Sequence, residues 1–125
     1  EGLRLEPDDP FLRLMAGIAQ CEAGYYDDAL LLLEELRGEG LADESLVLVA
    51  LAAAYYGAGE EDHAVNALKR AIELNPTLSE AYYDLAQVHA AGDPPDLDAA
   101  RQQYREALRL GAVPDRKLAT RLQTP

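Results

Sequence analysis

Apolar residues recur at spacings of three and four along nearly the whole chain, the period of an α-helix with a buried side. Residues 10–22 carry two such lines, Leu12, Met15, Ala16, Ala19 and Phe11, Leu14, Ile18. Residues 44–57 repeat the arrangement, with Leu48, Leu51, Ala52, Tyr55 on one side and Leu46, Val49, Ala53, Tyr56 on another. The pattern predicts helices near 10–22, 26–37, 44–57, 60–74, 78–91 and 97–110, with a short one near 115–122. Their ends are marked. Asp9-Pro10 reads as an N-cap followed by proline at the first helical position. Gly24 and Gly59 each separate two helices, Asn75-Pro76 stops one, and Gly111 sits where a helix C-cap belongs. Two prolines within Gly92-Asp93-Pro94-Pro95-Asp96 forbid helix there. One apolar line suffices to pack a surface helix. Helices with two such lines are therefore covered on both sides or expose a sizeable apolar face.

The helical text repeats. Ala64-x3-Leu68-x2-Ala71 matches Ala100-x3-Tyr104-x2-Ala107, and Ala29-x3-Leu33-x2-Leu36 is a looser copy, at spacings of 35 and 36 residues. Upstream of the middle copy, Ala64-x3-Leu68-x2-Ala71, stands Leu48-x2-Leu51-Ala52-x2-Tyr55, and Pro76 follows it. The third copy reads Tyr82-x2-Leu85-Ala86-x2-His89, while the first keeps Gly17, Gly24, Tyr26 and Ala29 but places Arg13 and Gln20 where large apolar and Tyr residues are usual. This spacing and these anchors resemble the tetratricopeptide repeat family over roughly residues 9–111. Small residues such as Ala52, Ala64 and Ala86 let two helix backbones approach, and their larger neighbours fill the space beside them.

The resemblance implies an all-α fold: a right-handed superhelical solenoid of three helix-turn-helix hairpins and a C-terminal capping helix. Its repeats fall at 9–42, 43–77 and 78–112, the last with a two-residue Pro-Pro insertion, and 113–125 holds the capping helix and tail. Residues 1–8 read as the tail of a preceding repeat, because Leu3, Leu5 and Pro7 match a helix ending whose body is missing; more repeats are expected to precede it. The resemblance also implies a concave groove lined by the first helix of each pair. Carried over by register, the groove positions are Phe11, Leu14, Ile18 and Cys21, then Leu46, Val49, Ala53 and Tyr56, then Glu80, Tyr83, Gln87 and Ala90. The candidate peptide-binding set is Phe11, Leu14, Ile18, Cys21, Leu46, Val49, Ala53, Tyr56, Tyr83 and Gln87. Family members that grip a C-terminal carboxylate use basic and amide side chains at places that here hold Leu14, Ile18, Ala50, Glu80 and Asp84, so a chaperone-tail partner is disfavoured.

Charge narrows the partner. The 125 residues carry 23 Asp+Glu against 11 Lys+Arg, a net charge of −12. All of the imbalance lies in residues 1–66, with 15 acidic and 3 basic side chains; residues 67–125 hold 8 of each. Such a chain is a poor ligand for nucleic acid or anionic lipid. A partner with basic flanks suits the first half, although an acidic solvated face also serves solubility. The longest uncharged stretch, Ser45–Gly59, is shorter than the ~20 residues that span a bilayer, so membrane insertion is not expected.

No catalytic or metal-ligand constellation emerges, and no cofactor is implied. His63 lies among Glu60, Glu61 and Asp62 and reads as a surface residue. His89 occupies a Tyr slot and reads as a core-edge histidine bonded to a neighbour. Neither has a ligand partner at i+3 or i+4. The lone Cys21 excludes an internal disulfide and has no histidine near it in sequence. Asp93, Asp96 and Asp98 miss the spacing of a calcium loop, and Asp96 reads as an N-cap. The expectation is a non-catalytic scaffold that binds an apolar or amphipathic protein segment. A second copy of the chain, or a larger enzyme for which this is a docking domain, are the alternative partners.

Overall fold

The computed structural model describes residues 9–123. The expected repeat tail at 1–8 lies outside the described residues. Seven helices occur among them: α1 (Pro10–Glu22), α2 (Tyr26–Glu39), α3 (Glu44–Gly57), α4 (Glu61–Leu74), α5 (Ser79–Ala91), α6 (Leu97–Arg109) and α7 (Arg116–Leu122). Local chemistry sets their ends. Asp9, Asp43, Asp96 and Asp115 each accept backbone N–H groups from the first turn of the helix that follows, which satisfies donors the helix cannot. Gly24 and Gly59 lie at φ 89° and 84° in the α1–α2 and α3–α4 turns, a region open to glycine without cost. The chain forms two compact units, divided between Ala67 and Leu68 within α4.

In the first unit α2 packs against both α1 and α3, and α1 touches α3. Its core holds Leu33, Leu36, Val47, Leu48 and Leu51, none more than 2% exposed. Gly17 of α1 lies under Leu33: a Cβ there would come within 2.5 Å of Leu33 Cδ2. Gly57 at the end of α3 plays the same part for the Tyr26 ring, 2.1 Å from such a Cβ. This contact brings the α1–α2 and α3–α4 turns together. Arg13, where the repeat pattern expects a large apolar residue, is held by Glu39 at 2.7 Å and Glu35 at 3.2 Å with its side chain 13% exposed. Its methylene stem can cover the apolar surface while the guanidinium is neutralised at the edge.

Of the two apolar lines on α1, the longer one does little of the packing: Met15 is 40% exposed, and Ala16 and Ala19 are exposed. The helix buries Leu14 and Gly17 instead. Its packing side is set by Leu33, which requires the glycine backbone, and not by the larger side chains of the other line.

In the second unit α5 and α6 form a hairpin and α7 packs on both. Ala86, Ala90, Ala100, Tyr104, Leu118 and Leu122 make one cluster, flanked by Tyr83, Leu97 and Ala119. His89 Nδ1 lies 2.8 Å from Gln103 Oε1 across the hairpin. Arg101 Nε donates to the Leu122 carbonyl at 2.7 Å and ties the end of α7 to α6.

Candidate functional site

The candidate residues of the first unit fall on two adjoining helices. On α1, Leu14 is 6% exposed, Phe11 59%, and Ile18 and Cys21 are half-buried. On α3, Val49 is 6% exposed, Leu46 40%, Tyr56 43%, and Ala53 is exposed. The two lines thus have buried members, Leu14 and Val49, and accessible ones. Leu14 and Val49 offer a partner little surface of their own, because they already fill space between helices; Phe11, Leu46, Ala53 and Tyr56 carry the accessible apolar area. No charged side chain interrupts either line. Burial pushes the Cys21 thiol above its usual range, and the Glu22 carboxylate adds to the shift, so Cys21 behaves as a small apolar residue here.

The candidate residues of the second unit have other duties. Tyr83 is half-buried, and its hydroxyl donates to the Asp115 carboxylate while accepting from Gln87 Nε2 at 3.1 Å. Asp115 also caps α7 by accepting from the Leu118 N–H at 3.0 Å, and its own N–H donates to the Tyr104 hydroxyl at 2.9 Å. The bond to the carboxylate raises Tyr83 to about 12 and, from the other side, holds Asp115 below the usual carboxylate range. Tyr83 is therefore a latch between α5 and α7 before it is anything else. Beside it lies an open cleft of about 740 Å³, with Glu80 and Tyr83 on one wall and Val113, Pro114 and Lys117 on the other. Gln87 is exposed and Ala90 is buried.

Two features escaped sequence reasoning. The Tyr83–Asp115 bond joins residues 32 apart, and no local pattern signals it. Asp84, one position past Tyr83, is half-buried without a cation among the described residues, and burial followed by the Glu80 charge pushes its carboxyl up to about 7. Among the described residues no group of three or more His, Cys, Asp or Glu is placed to hold a metal ion, and no helix is long and apolar enough to cross a membrane. His63, 62% exposed, stacks on Tyr55 with ring centroids 5.1 Å apart and pairs with Glu60 at 3.3 Å. The Tyr55 hydroxyl in turn donates to Glu34 at 2.7 Å.

Residues 45–88, from the start of α3 into α5, match the family model of the tetratricopeptide repeat. That stretch, about a third of the chain, carries the sequence of a tetratricopeptide repeat. No curated protein matches it in sequence. Solved structures share its fold nearly end to end. PcrH from Pseudomonas aeruginosa is 22% identical with a TM-score of 0.73 over 95% of this chain and 89% of that one. The chaperone SycD of the Yersinia enterocolitica type III secretion system, in complex with a peptide of the translocator YopD, is 19% identical with a TM-score of 0.74, over 96% and 91%. The first tetratricopeptide repeat region of RPAP3, bound to the HSP90 peptide SRMEEVD, is 20% identical with a TM-score of 0.74, over 97% and 98%. The fold is an all-α helical-repeat solenoid. The Leu48, Leu51, Ala52, Tyr55 line that marks the repeat is also the line that α3 turns toward its neighbours: Leu48, Leu51 and Ala52 are at most 2% exposed.

Proposed function

We propose that this chain is a non-catalytic docking module that binds an apolar or amphipathic segment of another protein on the α1/α3 face of its first unit. The observation that carries the reading is the pair of uninterrupted apolar lines on adjoining helices, with Phe11 59%, Leu46 40% and Tyr56 43% exposed. Covering these side chains removes on the order of 300 Å² of apolar surface from water, worth about 8 kcal/mol before the costs of association. That suffices for a specific but reversible complex. Two of the structural neighbours hold peptides, one from YopD and one from HSP90, which makes peptide docking a natural use of this fold. The HSP90 peptide is acidic; Glu80 and Asp84 in the second unit would repel such a ligand, so a carboxylate-tail partner is not proposed here. In this reading the repeats run 9–42, 43–77 and 78–112, and the segment from 113 closes the array.

The test is a titration, by fluorescence anisotropy, of a labelled synthetic amphipathic helix with a leucine stripe. Phe11→Ser and Leu46→Ser each weaken binding, whereas Leu31→Ser, at a site 73% exposed on α2, does not. Equal effects at all three sites, with circular dichroism showing intact helices, would mean non-specific adhesion and defeat the reading. Leu14→Glu and Val49→Glu are unsuitable probes, because a charge at either buried position unfolds the unit before it reports on binding.

A further inference from the structure

The two ends of the α1/α3 face differ in charge. Where α1 and α3 begin, the nearby acidic groups of the unit are engaged. Asp9 and Asp43 cap helices, Glu44 pairs with Arg37 at 3.3 Å, and Glu35 and Glu39 hold Arg13. Where α1 and α3 end, the two turns meet through the Tyr26–Gly57 contact. They carry Glu22, Asp27, Asp28, Glu60, Glu61 and Asp62, all exposed. Of these only Glu60 has a partner, His63; the other five make no ion pair among the described residues. Asp27, Asp28, Glu61 and Asp62 stand in the first turns of α2 and α4, where the helix dipole favours them. Glu22 stands in the last turn of α1, where the dipole opposes it and no basic residue compensates. The charge there thus exceeds what helix ends ask for. Residues 9–67 hold 12 acidic side chains and 2 arginines, both already paired within the chain. Two copies meeting through this unit would bring these fields together, which disfavours a second copy as the occupant.

We infer that the segment docking on the α1/α3 face carries lysine or arginine side chains at the end that meets the α1–α2 and α3–α4 turns. This rests on the reading above and adds to it the partner's chemistry and direction. The apolar lines supply affinity, and the carboxylates at one end supply register and encounter rate.

The test uses the whole chain and three synthetic helices with the same leucine stripe, bearing three lysines, three glutamines or three glutamates at one end. The lysine peptide binds roughly tenfold tighter than the glutamine peptide at about 20 mM salt, as three exposed ion pairs would give, and most of this preference is lost by about 300 mM. The glutamate peptide binds weakest. The variant Glu22→Gln/Asp28→Asn/Glu61→Gln/Asp62→Asn, its helices checked by circular dichroism, binds the lysine and glutamine peptides alike. If the lysine and glutamine peptides bind wild type equally, the inference is overturned and the docking face stands. A lysine preference that survives in the quadruple variant also overturns it, since the attraction then lies elsewhere. No binding of any peptide defeats the docking reading itself. A concentration-dependent dimer of the free protein, abolished by Leu46→Ser, assigns the face to a second copy and overturns the inference.

Discussion

Replacing Asp84 by asparagine should stabilise the protein, and only above about pH 5. The carboxyl is half-buried, has no cation beside it among the described residues, and lies one helical turn from Glu80; its pKa moves from 3.8 up to about 7, first through burial and then through the Glu80 charge. Below pH 4 it is protonated whether the chain is folded or not, and costs nothing. Between 4 and 7 the unfolded chain ionises freely while the folded one does not, so folding loses about 1.4 kcal/mol per pH unit. Above pH 7 both states are ionised and the penalty is constant, on the order of 4 kcal/mol as an upper value and about 2 kcal/mol after discounting for partial solvent access. Asparagine keeps the shape and removes the charge. For a domain of this length about 2–4 kcal/mol corresponds to a rise in Tm of roughly 8–15 °C. Thermal unfolding followed by circular dichroism at pH 8 and pH 4 measures it: Asp84→Asn gains at pH 8 and matches wild type at pH 4. An equal effect at both pH values, or none at pH 8, would refute the assignment of the strain to a buried carboxylate.

Other substitutions test the packing. Gly17→Ala gains about 1 kcal/mol of helix propensity but drives a methyl into Leu33, which is fully buried; overpacking of about 1–3 kcal/mol wins, so urea denaturation should show a net loss. Tyr83→Phe removes the bond to Asp115 and leaves the ring in place, so α7 loses one of its ties to α5; hydrogen exchange should speed up in α7 and leave α1–α3 unchanged. The lowered pKa of Asp115 has the opposite sign to that of Asp84: its contribution is complete above the unfolded value of 3.8 and fades as pH falls through the folded one. Acid-induced exchange in α7 should therefore shift to higher pH in Tyr83→Phe.

The helices and their ends are legible in the chain without its fold, because period, capping aspartates and turn glycines are local signals. Six of the helix starts and stops were legible from Asp9-Pro10, Gly24, Gly59, Asn75-Pro76, Asp96 and Gly111 alone. The sequence also carries the repeat, since Ala-x3-Leu-x2-Ala at a constant spacing reflects the same close helix approach made again. It named the apolar lines on α1 and α3. What it could not determine was how deeply each residue of a line is buried. Leu14 and Phe11 are neighbours on one helix face and equally apolar, yet one is 6% and the other 59% exposed. Depth depends on the neighbouring helix, here on Leu33 settling over Gly17. The same holds for Tyr83, whose hydroxyl is claimed by a carboxylate 32 residues away, and for Asp84, whose charge becomes costly only once the surrounding chain excludes water. Contacts between segments far apart in sequence are decided by packing, and packing leaves no local trace.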